Sequence, residues 1–179
     1  MFTIEPCCTQ KHWPAIRSKI KAGGTMMFQG YGDLSLNELL PVMMTRYSEA
    51  DMIIVCPALK DAAASLLLQW MEKGWPDKKG GHQYVIGHLT LVTDLGKKKS
   101  PAASAWVKGN PYPGRLTVCN VQQNDTCILL PDIAVHGAVN LVHGGHFTAI
   151  ATTSPKLIAS LRGVYDSLCS QVKSENPNP

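Results

Sequence analysis

Apolar and polar positions along this chain switch repeatedly between a two-residue and a helical rhythm. Met52 to Cys56 (Met-Ile-Ile-Val-Cys) is apolar on both faces and is stopped by Pro57. Such a run suits a strand covered on two sides, as in a parallel sheet. The spacing then predicts a helix over Asp61 to Lys73, apolar nearly all round through Leu66, Leu67, Leu68, Trp70 and Met71, with Gly74 as its stop. Tyr84 to Thr93 reads as the next strand. Ser100-Pro101 opens a short helix with a serine cap and a first-turn proline, and Asn110 to Gly114 breaks it.

Further strands follow at Leu116 to Val121, Thr126 to Leu130, Ile133 to His136 and Phe147 to Ala151. Ser154-Pro155 then repeats the cap-plus-proline start. Leu157, Ile158, Leu161, Val164, Tyr165 and Leu168 mark an amphipathic closing helix. Upstream, Thr25 to Gly30 is a short strand ending in a Gly30, Gly32 turn. The capping box Ser35-Leu36-Asn37-Glu38 starts a helix whose apolar face is Leu36, Leu39, Leu40, Met43 and Tyr47, kinked at Pro41. Alternation early and consecutive strands late predict an α/β fold with a mixed, largely parallel sheet flanked by helices.

Composition bounds the rest. With 179 residues, 45% apolar and 17% charged, residues 1–173 are expected to form one domain with its own core, and 174–179 a tail disordered by composition. No apolar run approaches the roughly 20 residues of a membrane span. Met1 to Trp13 holds Glu5, Cys7, Cys8 and Lys11 without an apolar h-region, so no secretory signal is read and a cytoplasmic location is expected. The six cysteines show no Cys-x-x-C spacing. Buried reduced thiols are therefore expected rather than a disulfide framework. The net charge of +4 permits contact with a polyanion without requiring it.

From about Thr25 to Leu168 the order of elements, with Gly137-Ala138-Val139-Asn140 after a late hairpin, resembles a single repeat of the phospholipase D-like superfamily. That family carries a His-x-Lys-x4-Asp signature followed by a Gly-Ser-x-Asn element. Its His attacks phosphorus, its Lys and Asn hold the phosphate oxygens, and paired units build one site. Registering on Asn140 puts Gln123 at the His position, Asp125 at the Lys position and Leu130 at the Asp position. Ala138 replaces the Ser, and only Gly137 and Asn140 match. A glutamine amide nitrogen is not nucleophilic. An aspartate in place of the lysine would repel a phosphodiester. The resemblance therefore implies a non-catalytic domain that acts by binding or self-association, with Gln123, Asp125, Leu130, Gly137 and Asn140 as relic-site positions. It also implies a homodimer, because the units of this family work in pairs.

A rival constellation lies in His88-Leu89-Thr90-Leu91 and His146-Phe147-Thr148-Ala149. These look like the paired His-apolar-Thr/Ser-apolar motifs of the two-histidine phosphoesterases. On adjacent strands His88, Thr90, His146 and Thr148 would offer a general base, a general acid and two hydroxyls for a cyclic or 2′,5′-type phosphodiester. A third reading, a polyanion-binding module, rests on Lys78, Lys79 and Lys97-Lys98-Lys99. His136, His143 and His146 lack nearby partners that would complete a metal site. Gly30-Tyr31-Gly32 lacks the third glycine of a dinucleotide loop, Ser35 standing there. Neither a metal nor a cofactor is called for.

Overall fold

The doubly apolar run at Met52–Cys56 is the centre from which the rest is laid out. A computed structural model describes residues 4–6, 23–32, 43–44, 47–76, 83–96, 100–122, 124, 126–137 and 145–175. In it that run forms most of strand β3 (Glu49–Cys56), preceded by β1 (Ile4–Pro6) and β2 (Thr25–Gly32). After β3 come helix α1 (Asp61–Glu72), β4 (Trp75–Pro76), β5 (Gln83–Thr93), helix α2 (Pro101–Lys108) and β6 (Leu116–Asn120). The chain closes with β7 (Thr126–Leu129), β8 (Ala134–Gly137), β9 (Gly145–Thr152) and helix α3 (Pro155–Glu175).

The fold is α/β with one mixed sheet between helices. Among the described residues the strands lie in the order β1-β2-β9-β8-β7-β3-β5-β4, with β6 also on β5. Strands β3, β5 and β6 run parallel. Their connections carry α1 and α2, as parallel neighbours require. From β3 outward through β7, β8, β9 and β2 the pairing is antiparallel.

Period-2 alternation explains why β3 is apolar on both faces from Met52 to Cys56. Ala50, Met52, Ile54 and Cys56 pack with Ala63, Ala64, Leu67, Trp70 and Met71 of α1 and with Ala103 and Trp106 of α2. Ile53 and Val55 point the other way and join Ile158, Tyr165 and Cys169 of α3. Each fully buried aliphatic side chain of these two layers contributes roughly 1.5–3 kcal/mol relative to exposure. The sheet therefore needs helices on both faces, and among the described residues α3 covers one of them.

Four expectations are corrected. Strand β2 does not turn at Gly30 and Gly32 but continues through both, paired with Phe147 and Gly145 of β9. The ladder of a long antiparallel partner outweighs the turn preference of two glycines. Ser100 makes no side-chain cap on α2. Its buried hydroxyl instead accepts the Leu59 N–H at 2.8 Å and lies 3.2 Å from Thr93 Oγ1, joining the ends of β3 and β5 to the start of α2. Helix α3 runs to Glu175, past the start assigned to the tail.

The fourth concerns sulfur. Cys119 and Cys169 form a disulfide with Cα atoms 5.3 Å apart, because β6 turns Cys119 toward the face that α3 covers and Cys169 is on the buried stripe of that helix. Cys56 and Cys127 are free and buried, as expected of structural thiols. Met43 and Met44 are buried, whereas the capping box, Pro41, Cys7 and Cys8 lie outside the described residues.

Candidate functional site

Strand β6 pairs with β5 and, among the described residues, with no other strand, so its far side is an edge. Leu89 N–H donates to Arg115 C=O and Val121 N–H to Thr93 C=O. This alternation turns the N–H and C=O of Leu116 and Val118 away from β5. The turn before β6 closes over the first of these. Leu116 N–H donates to Tyr112 C=O at 2.9 Å, and Asn110 Nδ2 donates to Leu116 C=O at 2.8 Å. Asn110 Oδ1 accepts the Tyr112 N–H at 2.9 Å, the Asx-turn that Asn-Pro favours. Val118 is left facing outward beyond that turn.

Arg115 anchors the same corner. Its Nε donates to Gly87 C=O at 2.9 Å and its Nη2 to Ile86 C=O at 2.7 Å and Met71 C=O at 3.0 Å. The guanidinium lies 5.9 Å from the Tyr112 ring centroid. One side chain thus joins the last turns of α1, strand β5 and the turn before β6. At Gly87 the register of β5 slips. Ala50 pairs with Ile86 but Met52 with Leu89, so Gly87 and His88 together oppose Asp51 in a β-bulge. A Cβ at Gly87 would come within 2.7 Å of Glu49 Oε1 and 3.1 Å of Asp51 Oδ1, so glycine makes room for two carboxylates.

The bulge re-aims His88, which shares a 3.4 Å hydrogen bond between Nε2 and Thr117 Oγ1. Beside this pair lies an open cavity of about 490 Å³, walled by Trp106, Val107, Leu116 and Val118, with Asn110 and Gly114 at its end. Its size is that of a small-molecule site, and its composition fits one: apolar walls with few polar groups. The hydrogen-bonding groups it offers are the His88 ring, the Thr117 hydroxyl and the outward backbone of Val118.

Of the residues expected to act, His88 lines this cavity and Thr90 is half-buried on the same strand, paired with Ile53 and Thr117. His146 and Thr148 are on β9. Strands β8, β7 and β3 lie between β9 and β5, a separation of about 19 Å at the usual strand spacing. The two His-x-Thr motifs are therefore not neighbours, and one phosphate cannot be held between them. This departs from the adjacency that the phosphoesterase reading needed.

Leu130 is fully buried in the apolar layer beneath α1 and α2. Gly137 ends β8, paired with Thr126 and Ala149, at φ +134, a backbone conformation that favours glycine. Gln123, Asp125 and Asn140 lie outside the described residues, as do His143 and the lysines of 78–79 and 97–99. Among the described residues no group of three His, Cys, Asp or Glu could hold a metal ion. Burial pushes the Cys56 thiol up to about 11, against a smaller lowering by its hydrogen bond with Thr93. It likewise pushes Cys127 up to about 12, against its hydrogen bond with Tyr165. Both stay protonated at neutral pH and are poor nucleophiles.

Trp106, Asn110, Arg115, Thr117 and Val118 were not expected as site residues. Only the Asn110-Pro111 turn gave a local signal, because the remainder converge through the pairing of β5 with β6.

No protein-family model matches the chain, and no curated protein matches it. Among solved structures it is similar to TrmBL2, an archaeal chromatin protein whose structure shows a novel mode of DNA binding. The TM-score is 0.49 at 8% identity, over 90% of this chain and 57% of that one. So distant a likeness carries nothing over to this chain. Among the described residues no helix is long and apolar enough to cross a membrane.

Proposed function

We propose that this chain is a non-catalytic, phospholipase D-like α/β domain that works by binding, and that its ligand sits in the groove beside β6. The observation that carries the proposal is the 490 Å³ cavity in which an apolar wall meets the outward-facing Val118 backbone and the His88–Thr117 pair. An outward N–H and C=O on one edge residue read a ligand that offers an acceptor and a donor side by side. Trp106, Val107 and Leu116 favour a planar apolar body next to them. An aromatic carboxamide has both features. The non-catalytic half is supported by Leu130, whose aliphatic side chain, packed in the core, stands where the resemblance asks for an acid. Self-association, as a pair of such units, belongs to the same reading. The Cys119–Cys169 disulfide favours an oxidising compartment over the cytoplasm.

Benzamide is the probe. Amide NMR shifts on titration should concentrate at His88, Trp106, Thr117 and Val118. Val118→Pro removes an outward N–H without removing a bond to β5, so it should abolish those shifts while the fold persists. Shifts elsewhere, or shifts unchanged in Val118→Pro, would overturn the groove. Mutation-sensitive hydrolysis of bis(p-nitrophenyl) phosphate would overturn the non-catalytic half.

A further inference from the structure

At the far side of the sheet from β6, the first turns of α3 stand over β8, β9 and the start of β2 without closing on them. A cavity of about 190 Å³ remains between helix and sheet, walled by Ala134, Ile150, Leu157 and Leu161. Thr25 and Thr152 lie on its rim, but their hydroxyls are already paired. They bond each other at 2.8 Å, and Thr152 Oγ1 also donates to Gly24 C=O at 3.2 Å and accepts the Ser154 N–H at 3.2 Å. That leaves His136, half-buried, as the polar side chain facing the cavity whose ring is hydrogen-bonded to no described residue. Leu157, 46% exposed, forms the lip.

We propose that this cavity is a binding site for a compact apolar ring bearing a single hydrogen-bonding group, a phenol-type ligand held by His136. The volume sets the size: an apolar cavity of roughly 150 Å³ takes one benzene ring. The walls set the polarity, since a second polar group would lose its hydration against Ile150 and Leu157 without gaining a partner. The position of His136 sets the orientation, with the ring under Leu157 and Leu161 and its hydroxyl toward β8. The disulfide holds α3 at Cys169, three turns away from Leu157, and Ile158 packs the lip end against the sheet. The site is independent of the groove at β6. A free phenol and a tyrosine side chain of a partner share this chemistry.

The test is an NMR titration of the disulfide-bonded full chain with phenol, toluene and N-acetyl-tyrosinamide. Phenol should shift the amides of Ala134–His136, Ile150–Thr152 and Leu157–Leu161, and bind about five- to tenfold more tightly than toluene, as one hydrogen bond predicts. His136→Phe should erase that preference and leave toluene binding in place. Leu157→Trp, a change at the exposed lip that spares folding, should fill the cavity and remove both. Val118→Pro should remove neither, which separates this site from the groove. N-acetyl-tyrosinamide matching phenol would identify a partner's tyrosine as the occupant; its failure beside successful phenol would identify a free small molecule. Shifts outside these segments, or a phenol preference that survives His136→Phe, would overturn the proposal.

Discussion

Breaking the Cys119–Cys169 bond is the most quantitative perturbation that this structure offers. The two cysteines are 50 residues apart in sequence and both are buried in the layer under α3. In the chain-entropy treatment, cross-linking a loop of that length removes freedom from the unfolded chain worth about 4 kcal/mol at 25 °C. For a domain of this size each kcal/mol moves the melting temperature by roughly 2–4 °C, so reduction should lower Tm by about 8–16 °C. The assay is thermal unfolding followed by circular dichroism, with and without a dithiol reductant, on the wild type, both single Cys→Ala variants and the double variant. Either single variant should lose nearly the full amount, and the second substitution should add little, because the bond is already gone. A wild type that melts at the same temperature with and without reductant would refute the reasoning. So would a peptide map of the unreduced protein lacking the Cys119–Cys169 link.

Arg115→Met should destabilise the domain by about 2–4 kcal/mol in urea unfolding, because three carbonyls lose their donor. Arg115→Lys should restore only part of this, since an ammonium cannot reproduce the planar fork. Cys56 and Cys127, pushed up to about 11 and about 12 from 9.0, bind protons more tightly folded than unfolded. Their contribution to stability should therefore be constant below about pH 9 and fall above it, with Cys127→Ala reducing the alkaline slope in pH-dependent unfolding. Gly137→Ala should cost about 1–3 kcal/mol because its φ is +134. Gly163→Ala, on the exposed side of α3 with open space around it, should raise stability by about 0.5–1 kcal/mol. Equal Tm changes for the two glycine variants would contradict the backbone reasoning.

Elements whose apolar spacing is local were legible in the chain. Met52–Cys56, the helix from Asp61 and the helix from Pro155 all form where the rhythm places them. What escaped depends on which strand lies beside which. His88 and His146 carry identical local patterns, yet three strands stand between them, and nothing within either tetrapeptide encodes that distance. The groove is similarly non-local, since a bulge opposite Asp51, an arginine reaching three carbonyls and the end of α2 meet only once β5 and β6 pair. The disulfide escaped for the same reason. Whether Cys119 and Cys169 face each other follows from the way α3 crosses the sheet, which spacing along the chain does not report.

Strand β2 touches the body of the sheet through β9, from which it hangs with β1 on its outer side. Residues 25–32 are synthesised more than a hundred residues ahead of the neighbour that receives them, 145–152. During synthesis β2 must therefore wait for its antiparallel neighbour until β9 has emerged, with β1 the partner already made. A nascent chain stalled before residue 145 would carry an adhesive ribbon with nowhere to dock.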